Sequence, residues 1–142
     1  MKKFLVSLLA AIVLPALAED FRTTNATAVL YDAPSLKGRK LFVMRSGTPV
    51  ELISSMGNWS KVRDSEGGMT WIEKKYLSEK RAVLVVAPRA EIRQKADGNS
   101  PLVFEAEKNV SLELVKTEGV WAAVRHRDGQ AGFVRRNQIW GL

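Results

Sequence analysis

The sequence predicts an all-β protein, built as two tandem small β-barrels behind a short apolar leader. Three observations lead there. The chain repeats itself, its apolar residues fall in short runs between turn residues, and its first residues alone break that pattern. Residues 28–80 lie on residues 90–142 at an offset of 62 without a gap, and nine positions are then identical. These are Ala28/Ala90, Phe42/Phe104, Glu51/Glu113, Leu52/Leu114, Gly57/Gly119, Trp59/Trp121, Val62/Val124, Arg63/Arg125 and Gly67/Gly129. An internal repeat makes the repeated segment the unit to be explained.

The leader comes first in the chain. Lys2 and Lys3 precede an apolar run from Phe4 to Leu14, and Ala16-Leu17-Ala18 follows with small residues at the spacing a signal peptidase cleaves. The run is 11 residues long, against roughly 20 for a spanning helix. A cleaved secretory signal over residues 1–18 is therefore expected, with a mature chain starting at Glu19 and no transmembrane segment after cleavage. The chain has no cysteine, which excludes lipid attachment at a new amino-terminal Cys. The expected location is periplasmic or secreted.

Cleavage after Ala18 leaves 124 residues, a small chain for two units. A unit of about 60 residues buries only about 60% of its unfolded surface and is marginal alone. With no disulfide possible, the two halves are expected to pack against each other. Without Lys2 and Lys3, 20 cations face 15 anions, and the signs are interspersed rather than blocked. A basic exported protein meets anionic envelope surfaces; export also argues against nucleic acid as the partner.

Strand assignments follow from turn residues spaced every 8–12 positions. Each unit opens with a short strand, Ala28 to Tyr31 and Ala90 to Arg93. Polar loops at 33–39 and 95–101 lead to Leu41–Met44 and Val103–Ala106, then to Val50–Ser54 and Leu112–Lys116. The Gly57–Arg63 segment reads G-N-W-S-K-V-R and its counterpart Gly119–Arg125 reads G-V-W-A-A-V-R. Glu66-Gly67-Gly68 and Asp128-Gly129-Gln130 supply the glycine that a tight hairpin needs. The hairpins return as T-W-I-E and G-F-V-R, and K-K-Y-L and R-N-Q-I close the units as single short helical turns.

The order G-x-W-x-x-V, glycine hairpin, aromatic strand and terminal Y-L resembles the bacterial SH3-like domain, twice over the whole mature chain. Three positions depart from its usual pattern. Thr70 stands where Gly is usual, Tyr31 where Arg is usual (Arg93 keeps it), and the second unit ends in Gln138-Ile139. The domain boundaries are read as 19–86 and 87–142. In the first, residues 28–80 form the core and 81–86 a closing strand, with Ala82-Val83-Leu84-Val85-Val86 as its apolar run. The second unit stops at Leu142 with no such strand after it, so 81–86 has the alternative of joining that unit instead.

The residue inventory bears on chemistry. Zero Cys excludes a cysteine peptidase or an L,D-transpeptidase. A single histidine, His126, falls short of the ligand set of a zinc hydrolase. It sits between Arg125 and Arg127, and no Ser occupies a G-x-S-x-G turn. Repeated carboxylates at Glu51/Glu113 and Glu66/Asp128 fall on a solvent-facing strand side and in hairpin turns. The expectation is a non-enzyme with no cofactor and no metal.

Binding is the better class. Side chains alternate across a strand, so Val62 and Val124 point inward with Ser60 and Ala122, while Trp59, Lys61, Arg63, Trp121 and Arg125 share the outer face. By the same alternation Trp71 and Phe133 point out opposite Ile72 and Val134. An indole stacks on a sugar or peptide while its N–H fixes orientation. The candidate ligand residues are Tyr31, Trp59, Lys61, Trp71, Tyr76, Trp121, Arg125 and Phe133; the competing assignment for the aromatics is that they lid the ends of the barrels or fill the contact between the domains. Trp140 is expected to pack on the first unit. The resemblance implies recognition of peptidoglycan peptides or glycans, or of an envelope protein. The alternative is a protein-interaction scaffold or an accessory regulator of an envelope enzyme.

Overall fold

The computed structural model describes residues 19–142; the expected signal peptide lies outside the described residues. The first unit is a seven-stranded antiparallel sheet: β1 Phe21–Thr24, β2 Ala28–Tyr31, β3 Lys40–Met44, β4 Pro49–Met56, β5 Trp59–Arg63, β6 Met69–Glu73 and β7 Leu77–Ser78. Its strand order is β3-β2-β6-β5-β4-β1-β7. The second unit repeats this with β8 Ala82–Val85, β9 Arg89–Arg93, β10 Leu102–Glu107, β11 Ser111–Glu118, β12 Trp121–Arg125, β13 Ala131–Arg135 and β14 Ile139–Trp140, in the order β10-β9-β13-β12-β11-β8-β14. Each sheet wraps around its own core with β3 and β7, or β10 and β14, as its two ends, so neither is a barrel closed by continuous pairing. The expected closing turns are single 3-10 turns at Lys74–Tyr76 and Arg136–Gln138.

Alternation builds both cores. Ser60, Val62, Thr70 and Ile72 face inward from β5 and β6, as Ala122, Val124 and Val134 do from β12 and β13. The first core gathers Ala28, Leu30, Met44, Val50, Val62 and Ile72. The second is larger, because β8 adds Val83 and Val85 to Ala90, Ile92, Leu112, Val124 and Val134. The hairpin glycines adopt the conformation expected of them, with φ of 88° at Gly67 and 94° at Gly129. The long strands β4 and β11 each carry a register shift at the same place, between Leu52 and Ser54 and between Leu114 and Lys116.

One assignment is corrected. Residues 81–86 do not close the first sheet: β8 pairs with β11 and β14 and opens the second. In the first sheet that place is taken by β1, which pairs with β4 and β7. The second unit thus lacks nothing, because the strand completing each sheet precedes it. Thr24 pairs with Leu77 as Val85 pairs with Ile139, so β1 and β8 correspond one residue short of the 62-residue offset. Their sequences, F-R-T-T and A-V-L-V, share no residue. The reason is physical: what β1 and β8 have in common is backbone pairing at one sheet position, which constrains side chains weakly.

The two units touch, as expected for small disulfide-free domains. Phe21 of β1 meets Trp140 of β14 edge-on at 5.1 Å. The Arg81 guanidinium lies 5.4 Å from the Phe21 ring centroid and donates to the Gly141 carbonyl at 2.6 Å. Lys80 faces Glu113 at 3.7 Å, and the Ser111 hydroxyl donates to the Gly47 carbonyl. Trp140 therefore packs on the first unit.

Candidate functional site

The outer faces of the two sheets carry most of the candidate residues, in the same places but with different chemistry. In the first unit, Trp59, Lys61 and Arg63 alternate with buried Ser60 and Val62 along β5, each of the three half-buried. The ladder sets Trp71 opposite both Lys61 and Tyr31, and sets Glu73 opposite Trp59. Tyr31 and Trp59 meet edge to face, 5.2 Å between centroids and 90° between planes. Tyr31, Trp59, Lys61 and Trp71 thus form one group across β2, β6 and β5.

Two of the candidate residues are buried. Tyr31 keeps only 6% of its surface, with the Trp59 ring packed edge to face against it. Trp121 keeps only 8%. Its outer face is covered by the Arg135 guanidinium, 4.5 Å from the ring centroid, and a cation over an indole is a stabilising arrangement. Alternation along β12 set the direction of Trp121 but not what would lie over it.

The remaining candidates separate. Tyr76 sits on the 3-10 turn, half-buried and packed on the first core beside Leu77, so it is apart from the Tyr31–Trp59 pair. Phe133 lies half-buried opposite Ala123 and Arg93. Arg125 is exposed at the far end of β12 from Trp121. Four residue steps separate those two, about 13 Å along a strand, so they do not share a contact. Arg63, the counterpart of Arg125, is bound to Glu51 at 3.0 Å.

A small cavity of about 60 Å³ opens on the second unit, lined by Glu91, Arg93, Gly98, Trp121, Arg135 and Gln138. Arg93 is held by Glu91 at 2.5 Å and donates to the Ser100 carbonyl at 3.0 Å. Arg135 also lines a shallow open groove of about 520 Å³ with Gly119, Val120, Arg136 and Asn137. A third depression, about 320 Å³ on the first unit, is lined by Arg22, Leu52, Ser55, Ser60, Lys74, Leu77, Ser78 and Glu79 and includes none of the candidate aromatics. Arg135 was missed as a site residue. The signal for it was present: aligned at the repeat offset, Glu73 faces Arg135, a charge reversal beside the repeated tryptophan.

His126 is committed to its hairpin. Its Nδ1 lies 3.0 Å from the Asp128 carboxylate and 3.3 Å from the Asp128 backbone nitrogen. Asp128 is held below the usual carboxylate range chiefly by the backbone N–H of Gln130, which outweighs an opposing effect of desolvation, with smaller help from His126 and the Gln130 side chain. Both groups order a turn. Among the described residues, no cluster of three His, Asp or Glu is placed to hold a metal ion.

A protein-family model described as Bacterial SH3 domain matches residues 24–79 and again residues 86–141. The chain belongs to the bacterial SH3 domain family, with two copies in tandem. Each match covers one of the two sheets apart from its first strand, since β1 up to Thr23 and all of β8 precede the matched residues, and the duplicated tryptophan, Trp59 or Trp121, lies inside it. No curated protein matches the chain. Solved structures similar to these SH3 domains include NlpC2 from Trichomonas vaginalis, at 16% identity and a TM-score of 0.41 over 89% of this chain and 49% of that one. NlpC1 from the same organism is similar at 16% identity and 0.41, over 97% and 51%. An NlpC/P60 family protein from Bacillus cereus follows at 17% and 0.39, over 84% and 55%. The chain spans about half the length of each of these three proteins.

Proposed function

We propose that the tandem bacterial SH3 domains form a non-catalytic binding module of the cell envelope, exported by the leader at residues 1–18, that recognises peptidoglycan peptides or glycans. The observation carrying this reading is the duplicated outer face. Each sheet sets a tryptophan on its outer face beside cationic and further aromatic side chains, Trp59 half-buried near Lys61 and Trp71, and Trp121 beneath Arg135 and near Phe133. Two weak sites on one chain gain avidity on a repeating polymer without any new contact. The packing of Trp140 on Phe21 limits how far the two faces move apart.

Co-sedimentation of purified residues 19–142 with protein-free sacculi tests this. Saturable binding by the wild type, lost in a folded Trp59→Ala variant, supports it. A folded wild type that stays in the supernatant rejects it.

A second reading, an interaction scaffold for an envelope protein, is favoured by the sheet ends. Strand β3 ends its sheet with Leu41, Phe42 and Val43 exposed, and β10 does so with Leu102 and Val103. An edge strand of this kind accepts an added strand from a partner. Failure on sacculi with retention of a protein partner from envelope extract, blocked by a Val43→Lys substitution, distinguishes the two readings.

A further inference from the structure

We infer that the cavity of the second domain is a carboxylate site, so that the two SH3 copies recognise different groups. The inference rests on the binding-module reading and names a ligand chemistry for one of its sites. The geometry begins with the charge reversal. Trp59 stands opposite Glu73 in the first sheet, and Trp121 stands opposite Arg135 in the second. A negative group beside the tryptophan is thus repelled in one copy and attracted in the other.

Arg135 has its donors free. Its guanidinium lies on the Trp121 ring, and among the described residues its side chain makes no ion pair and no hydrogen bond. Contact with the ring holds the guanidinium in place while leaving its N–H groups for an acceptor, and a guanidinium fork suits a planar carboxylate. Because Arg135 covers the indole, a sugar ring finds no open face on Trp121. The stacking expected from the sequence is therefore excluded at this position while Arg135 stays in place.

Charge balance then selects a monoanion. Arg93 is already matched by Glu91, and the carboxylate of Glu91 lines the same cavity. The lining therefore carries two cations and one anion, a net of a single positive charge. A dianion such as phosphate would exceed that single positive charge and be repelled more strongly than a monoanion by Glu91. The cavity, about 60 Å³, is several times the roughly 10–15 Å³ that one water requires, so it admits a carboxylate and excludes an intact sugar.

The test is an NMR titration of the ¹⁵N-labelled protein, following the Trp121 indole N–H and the Gly98 amide. The probes are N-acetyl-dialanine as the free acid, the same peptide as its C-terminal amide, an amidated N-acetyl-Ala-Glu whose carboxylate is on the side chain, and inorganic phosphate. The expected result is that carboxylate probes move Trp121 and Gly98, that the dialanine amide does not, and that Arg135→Gln weakens the response at least about tenfold with an otherwise unchanged spectrum. Which carboxylate probe acts tells a terminal from a side-chain source. Equal response to the amide, a tighter response to phosphate, perturbation at Trp59 instead of Trp121, or an unaffected Arg135→Gln variant would each overturn the site. Sacculus binding without any carboxylate response rejects this site and leaves the wall reading standing; a carboxylate response without sacculus binding does the reverse.

Discussion

The Trp140 ring stands edge-on to Phe21, with centroids 5.1 Å apart and planes at 88°, joining the first strand of one domain to the last strand of the other. Phe21 is 3% exposed, and the Arg81 guanidinium also lies over its ring, 5.4 Å from the centroid. Replacing Trp140 by Ala removes the partner that keeps Phe21 dry. Trp140→Ala is expected to cost about 3 kcal/mol and to split a single thermal transition into two. Calorimetry checks this; one unsplit transition at the wild-type temperature would show that the domains are not coupled through this pair.

Leu30 and Leu112 are fully buried, one in each core. Leu→Ala at either site leaves a cavity and is expected to destabilise its own domain by about 2–5 kcal/mol. The first core draws on fewer buried apolar residues than the second. Leu30→Ala is therefore expected to be the more disruptive of the two. Denaturant midpoints of both variants decide it, and a larger loss for Leu112→Ala would contradict the ranking.

Gly132 marks a place where the repeats differ. A Cβ built there would stand 2.6 Å from the Arg93 carbonyl oxygen and 2.6 Å from Cγ2 of Ile92. The first domain holds the side chain of Thr70 at the same position, buried. Gly132→Ala forces β9 and β13 apart and is expected to cost about 1–3 kcal/mol. It also displaces Arg93 from the cavity, so carboxylate binding weakens with it. Stability and binding both unchanged would show that β9 yields freely.

Asp128 orders the 126–130 hairpin, accepting from the backbone N–H of Gln130 at 2.9 Å. Its pKa is lowered from the ordinary value of 3.8, chiefly by that bond. A carboxylate with a depressed folded pKa contributes stability that is present above its unfolded pKa and lost as pH falls through the folded one. The Gln130 amide should therefore exchange faster with solvent, after correction for intrinsic rates, once the pH drops below the ordinary carboxylate range. Asp128→Ala should show that faster exchange already at neutral pH. An amide indifferent to both changes would rule out the bond as the ordering element.

Much of this protein is determined by the sequence alone. Period-two alternation requires Val62, Ile72, Val124 and Val134 to face inward, and the structure buries all four. Repetition at a constant offset makes two like sheets, because equal spacing of strands and glycine turns leaves each copy the same way to pair. The tertiary structure decided what no local pattern encodes. Residues 82–85 belong to the second sheet, since a strand joins whichever edge offers matched backbone partners, and its own sequence is silent on that choice. Alternation turned Trp59 and Trp121 to the outer face, but Tyr31 and Arg135 arrive over them from other strands. A side chain's direction follows from its own backbone; its exposure depends on neighbours brought there by the fold.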